Sequence, residues 1–266
     1  MAFYSKEKLL SHITDREIKA VLDKIVDKAL RVLKSHTKDV VFFLDPYQQQ
    51  QIEGILRGIP EINFSFSGGY PEAERKKLVI CPHYDEITEQ DFNIKYLQFE
   101  GKLKFDTITH RDILGALMSL GIKRDLLGDI IINEEEEIMQ CVVDESIVEF
   151  IKFNLRQVKK VGVDVHDIEK CMVKVPQKKI KKIRSTVASL RLDAILSSAY
   201  GISRSKASSL IKKEAVKLNW QVVTNPASGV KNGDIISVMR KGRVEVLDIE
   251  GETKKGRIAL ILGRYT

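Results

Sequence analysis

Residues 190–240 read LRLDAILSSAYGISRSKASSLIKKEAVKLNWQVVTNPASGVKNGDIISVMR, and this stretch decides the architecture of the last third of the chain. Residues 190–199 form a short helix. A turn at Tyr200-Gly201 leads to Ser203, whose hydroxyl suits a helix N-cap, and a second helix runs to about Lys213. On that second helix Ala207, Leu210 and Ile211 share one face and must turn to a core. Arg204, Ser208 and Lys212 recur four apart on another face, with Lys206 and Lys213 beside them. Residues 216–218 and 221–223 read as short strands. Asn232-Gly233 supplies a tight turn into a strand over 234–239. Several cationic donors therefore sit on one face of one short helix. Arg204, near its start, is suited to a bidentate phosphate contact, and the lysines to point contacts along a backbone.

The charge distribution points the same way. The 266 residues carry a net charge of +7, but residues 174–217 hold 12 Lys/Arg against 2 Asp/Glu, whereas residues 1–173 hold 24 against 30. A mildly acidic two-thirds thus leads into a sharply basic segment, the electrostatic footprint of a nucleic-acid binder. With 43% hydrophobic and 30% charged residues the composition is that of a globular protein, and the length suggests two domains or three small ones. Cys81, Cys141 and Cys171 are far apart and form no CxxC pair, so neither a disulfide framework nor a Cys-rich zinc site is expected. No apolar run approaches the roughly 18 residues of a membrane helix. The charged, amphipathic start predicts a mature cytoplasmic protein with no membrane partner.

Three modules emerge, giving an α+β chain. Residues 1–82 read as a small N-terminal α/β module. Thr14 and Glu17 have capping-box spacing, and Ile18, Val21, Leu22, Ile25, Val26, Ala29 and Leu33 recur on one helix face. A strand over 40–44 follows, then Asp45 capping a helix with Pro46 at its first position, then strands over 62–66 and 78–81. Residues 83–173 order as β-α-β-β-α-β, an RRM-like sandwich: strand 94–99, helix from the Thr109 cap to the Gly121 stop, hairpin 129–132 and 138–143, helix 146–158, and the alternating strand Val161, Val163, Val165. The third strand of such a fold stacks RNA bases on aromatics. Here it reads Ile138-Met139-Gln140-Cys141-Val142-Val143, with no aromatic, glycine or basic residue. The acidic run 134–137 reads as a solvated turn. Residues 174–183, KVPQKKIKKI, form a basic linker, and residues 184–266 the last module.

Arg191-Leu192-Asp193, Ser203-Arg204-Ser205-Lys206-Ala207, Leu210-Ile211-Lys212-Lys213, Val216-Lys217-Leu218-Asn219 and Gly233-Asp234-Ile235-Ile236 resemble, in order and spacing, the S-four (αL-like) RNA-binding domain. The resemblance implies RNA contacts at Arg191, Ser203, Arg204, Lys206, Ser208, Lys212, Lys213, Lys217 and Asn219. Two positions depart from it: Glu214 stands where the family usually has glycine, and Leu218-Asn219-Trp220 where it has Val-Asn-Gly. The segment Thr109-His110-Arg111-Asp112-Ile113-Leu114-Gly115 through Lys123-Arg124, closed by Gly128-Asp129-Ile130, is similar to the middle-domain signature of the YlmH-type proteins. That likeness covers nearly the whole chain. It implies a non-catalytic factor binding large-subunit rRNA and tRNA on the 50S particle, in ribosome-associated quality control of stalled peptidyl-tRNA held for C-terminal tailing. The family also carries a cell-division label, so a scaffold role in which residues 1–173 bind a protein partner is a competing expectation.

Other candidates read blandly. His110-Arg111-Asp112 is no kinase loop, because no Asn follows at the required spacing and the triplet starts a helix. His110, Arg111, Lys123 and Arg124 bracket that helix and, with Lys181 and Lys182, are candidate secondary RNA contacts. Gly68-Gly69 is no phosphate loop. Cys81 beside His83 reads as a buried thiol. Trp220 is either a packed aromatic or a stacking surface. His12, His36, His83, His110 and His166 are scattered, so no metal is expected, and no cofactor. S-four modules are often attached to pseudouridine synthases, rRNA methyltransferases and tyrosyl-tRNA synthetases, but the sequence shows no site for any of these. The only Arg-Leu-Asp, Arg191 to Asp193, lies inside the binding module itself.

Overall fold

The computed structural model describes residues 4–101, 108–133, 136–177, 179–254 and 256–265. Glu134 and Glu135 of the acidic run, Lys178 of the basic stretch and the first three residues of the expected mature start lie outside the described residues. The chain is α+β and divides into two compact units, residues 1–176 and 177–266. No helix among the described residues is long and apolar enough to cross a membrane.

The first unit begins with a short helix α1 (Lys6–Leu9) and a long helix α2 (Arg16–Ser35). The cap of α2 is Asp15 and not Thr14: its carboxylate accepts from the Glu17 and Ile18 amides. A charged oxygen one residue nearer reaches two orphan donors and complements the positive helix end. Leu22, Ile25, Val26, Ala29 and Val32 form the buried stripe of α2. They pack on the sheet β1-β3-β2, built from β1 (Asp39–Leu44), β2 (Ile62–Ser67) and β3 (Lys76–Pro82). The helix α3 (Pro46–Leu56) enters through the expected Asp45 cap, reciprocated by Gln48.

The strands β4 (Ile94–Gly101), β5 (Leu127–Asn133), β6 (Ile138–Asp144), β7 (Gln157–Val158) and β8 (Val161–Ile168) form an antiparallel sheet in the order β5-β6-β4-β8-β7. The helices α4 (His110–Ser119) and α5 (Val148–Asn154) interrupt it in sequence, giving the expected β-α-β-β-α-β order with β7 added. The α4 cap is the Thr109–Asp112 box. The helix expected over 146–158 is shorter. It stops at Asn154, and Gln157 and Val158 pair instead with Gly162 and Val161. The apolar spacing that suggested one helix is kept because Leu155 and Val158 still reach the core.

The face of this sheet turned away from α4 and α5 is covered over β5, β6 and the start of β4, while Asp164 and His166 of β8 stay exposed on it. Phe43, Tyr70, Ile94, Tyr96 and Val173 pack on Ile131 and Val142. Asp129 accepts from the Tyr70 hydroxyl at 2.8 Å and from the Glu74 and Arg75 amides at 2.7 and 3.1 Å. Gln140 donates to Gln98 and to the Met172 carbonyl, and accepts from the Lys174 amide. A Cβ at Gly128 would lie 2.9 Å from the Phe43 ring, so only glycine lets the two layers approach this closely. The surface on which an RRM stacks bases is therefore an internal interface here.

Lys77, 1% exposed, crosses that interface and donates to Asp144 at 2.6 Å and to the Asn93 carbonyl at 3.3 Å. Burial pushes the Asp144 carboxyl up, but hydrogen bonds from Lys77 and Ser146 outweigh it and hold the group below its ordinary range. Removing one partner strands a buried charge. Lys77→Ala is expected to lower the urea-unfolding free energy by about 3–5 kcal/mol, and Lys77→Met with Asp144→Leu to recover most of it.

The second unit is a six-stranded antiparallel sheet in the order β11-β10-β12-β13-β14-β9 with two helices on one face. The strand β9 (Ile180–Val187) pairs with β14 (Ile258–Tyr265), so the last residues of the basic stretch 174–183 lie in an edge strand of this unit. Then come α6 (Leu192–Tyr200), α7 (Arg204–Lys212), β10 (Val216–Leu218), β11 (Gln221–Val222), β12 (Ile235–Val238) and β13 (Gly242–Glu252). Leu192, Ile195, Leu196, Ala207 and Ile211 from the helices meet Val216, Ile236, Val244, Val246, Leu260 and Leu262 from the strands.

Candidate nucleic-acid interface

The helix pair α6–α7 is held at its base by one carboxylate. Asp193, 6% exposed, takes Arg191 in a fork, Nε to Oδ1 and a terminal nitrogen to Oδ2, both at 3.2 Å. Arg204 reaches the same two oxygens through Nη2, at 2.9 and 2.8 Å. Burial pushes the Asp193 carboxyl up, but the two guanidiniums more than offset this and hold it below the ordinary aspartate value of 3.8. Arg204 remains about half exposed, and it meets Asp193 through Nη2 alone, leaving the rest of its fork toward solvent. Two cations on one anion leave a net positive charge at the helix start.

From there cations continue along α7. Ser203 caps α7, its hydroxyl accepting from the Lys206 amide, and shares a hydrogen bond with Ser205. Lys206, Lys212 and Lys213 are exposed, and Ser208 is half-buried between them. Ser205, Ser208, Ser209, Lys212 and Lys213 line a shallow hollow of about 400 Å³ on this face. Ala207 and Ile211 are fully buried on the opposite side, so packing fixes which way the cations point.

Other members of the expected set lie elsewhere. Lys217 alternates with core-facing Val216 and points to the other side of the sheet. Asn219 is a turn clamp: its side chain donates to Asp234 at 2.8 Å and accepts from the Ile235 amide at 2.9 Å. Both ends of its carboxamide are therefore engaged within the fold. In the first unit, Arg124 is turned inward, donating to the Leu127 and Gly128 carbonyls, and burial lowers its pKa. His110, Arg111 and Lys123 are exposed at the two ends of α4, and Arg111 lines a shallow groove with Lys159. Lys181 and Lys182 are exposed on the edge strand β9. Between β13 and β14, Arg257 is engaged by Thr186. Among the described residues, no group of three or more His, Cys, Asp or Glu could hold a metal ion.

Three family models tile the chain: "YlmH, N-terminal" over residues 17–85, "Putative RNA-binding domain in YlmH" over 88–172, and "S4 domain" over 190–236. A Bacillus subtilis (strain 168) protein named ribosome-associated protein quality control protein P2 is 34% identical over 242 residues, covering 91% of this chain and 93% of that one. The chain belongs to the YlmH family. A solved structure titled cell division protein ylmH, from Streptococcus pneumoniae, matches at 24% identity with a TM-score of 0.53, over 66% of this chain and all of that one, and shares its fold. The YlmH-type α6–α7 hook is thus an S4 domain, and the sheet covered by Phe43 and Tyr70 belongs to the segment matched by the YlmH RNA-binding-domain model.

Glu214 follows α7 with φ +58. This is the left-handed position that glycine adopts without strain. Glu214→Gly is expected to raise unfolding stability by about 1 kcal/mol and, by deleting an anion beside Lys212 and Lys213, to tighten RNA binding. Asp193 gives a pH prediction. Because its folded pKa is depressed, its contribution is complete above 3.8 and is lost as pH falls through the lower folded value. Urea midpoints of wild type and Asp193→Asn are expected to differ at neutral pH and to converge in strong acid.

Proposed function

We propose that this protein is a non-catalytic RNA-binding factor that grips structured RNA of the large ribosomal subunit, rRNA and tRNA, through the α7 face. We propose further that it acts in ribosome-associated quality control, holding stalled peptidyl-tRNA on the 50S particle during C-terminal tailing. The observation that carries the reading is the set of exposed Arg204, Lys206, Lys212 and Lys213 spread around the solvent side of a helix, and at its C-cap, whose other side is locked into the core of an S4 domain. Phosphate and 2′-hydroxyl contacts dominate recognition of folded RNA, and a rigid row of cations suits them. The name of the Bacillus subtilis relative supports the ribosomal setting.

The test is co-sedimentation with purified 50S particles, wild type against Arg204→Glu with Lys212→Glu. The variant is expected to lose occupancy; equal occupancy would sink the reading. If about five phosphates are neutralised, the log–log dependence of affinity on salt has a slope near −4, so a fourfold rise in salt weakens binding by roughly a few hundredfold. Binding that persists undiminished in molar salt contradicts a phosphate-based grip.

A further inference from the structure

The side of the six-stranded sheet turned away from α6 and α7 carries a second constellation, and it centres on the chain's single tryptophan. Strand register places Lys217 between Val222 of β11 and Ser237 of β12, and Ser237 beside Arg243 of β13. Val216, Ile236, Val238 and Val244 alternate with these residues and are buried in the core, so the row Val222, Lys217, Ser237, Arg243 faces outward. The Arg243 guanidinium lies 5.9 Å from the centre of the Trp220 ring, which brings the indole onto the same face. Trp220 is half-buried, at the tip of the β10–β11 turn, with φ +66.

The adjacent rows extend the surface. Ile235, Glu245, Gly263 and Lys182 are register partners across β12, β13, β14 and β9. A Cβ at Gly263 would meet Ile180 at 2.8 Å and Leu247 at 2.9 Å, so those side chains close over an apolar floor at that point. Arg184 lies opposite Ile261. The acidic members are Glu245, which accepts from the Tyr265 hydroxyl at 2.7 Å, and Asp248 farther along β13. The row nearest Trp220 places Lys217 and Arg243 on the same face, with the Arg243 guanidinium held against the indole.

We infer that this outer sheet face binds unpaired ribonucleotides, a base stacking on Trp220, whose ring Arg243 braces, while Lys217 and, farther along the strand, Lys182 neutralise phosphates. The inference rests on the reading of the chain as an RNA binder and adds a site for single strands to the α7 face for folded RNA. Aromatic rings interleaved with cations on a sheet are the general physical basis for binding single strands, because every base has a π-face. The turn is rigid, since Asn219 ties it to Asp234 and Ile235, and a ring already fixed in place loses little entropy on stacking. Stacking also gives a reason for a tryptophan at a φ that glycine would occupy without strain. Guarding an edge strand explains Lys182 and Arg184 but places no demand on Trp220 or Lys217.

The experiment titrates the full-length protein with decauridylate and follows tryptophan emission, which reports this position alone. Saturable quenching is expected, with a blunt RNA duplex quenching at least tenfold less effectively because its bases are already stacked. Trp220→Gly, followed by anisotropy of fluorescein-labelled decauridylate, is expected to lose about tenfold in affinity, the order of one stacked base. Glycine relieves the backbone at this φ, so that loss is not a folding defect, and an unchanged thermal melt verifies it. Lys217→Glu is expected to weaken decauridylate binding severalfold. Unchanged emission, equal quenching by duplex and single strand, or Trp220→Gly binding as tightly as wild type would each overturn the inference. Because the readout needs no ribosome, quenching without 50S co-sedimentation would remove the ribosomal reading and leave this site standing.

Discussion

The buried Asp193 carboxylate fixes the α6–α7 hook, and the hook sets the direction of every cation on α7. Arg191 comes from the start of α6 and Arg204 from the start of α7, and both close on the same two oxygens. One anion thus joins the bases of two helices whose apolar faces are already sunk in the core. With the helices crossed in this way, Ala207 and Ile211 face inward and the lysines have only the solvent side left. The pair of arginines outnumbers its anion, so the same contact that fixes the geometry leaves the helix start positive. Structure and electrostatics are one arrangement here.

A different logic governs the first unit. Its RRM-like topology would ordinarily offer an open sheet face to RNA, yet the β5–β6 part of that face is closed by Phe43, Tyr70, Arg75 and Lys77 from the N-terminal module and by residues 172–174. Arg75 alone donates to the carbonyls of Phe43, Arg124 and Leu127, and burial drives its pKa down to about 10. The absence of aromatics from β6 follows from this: Gln140 and Val142 are shaped for an internal contact. Topology by itself does not assign a surface to a ligand.

Left-handed residues mark where the second unit departs from an unstrained S4 hook. Glu214, Asn219 and Trp220 all have positive φ without being glycine. Asn219 is suited to this, because its side chain bonds the neighbouring backbone. Glu214 and Trp220 carry the strain without such a bond of their own, and they flank the strand that bears Lys217.

The sequence by itself determined the order of elements, the caps at Asp45, Thr109 and Ser203, and the inward and outward faces of α7. These are local matters: hydrogen bonds between residues three apart and side-chain spacing along one helix decide them. The register of sheets and the fate of individual polar side chains were decided only by tertiary structure. Arg124 was legible as a surface cation until the carbonyls of Leu127 and Gly128 claimed it, and Asn219 as an RNA contact until Asp234 and Ile235 did. Lys217 belongs to the far side of the sheet because strand alternation overrides its nearness in sequence to α7. The meeting of Trp220 with Arg243, and of Asp193 with Arg204, joins residues 23 and 11 positions apart, and no local pattern encodes such distances.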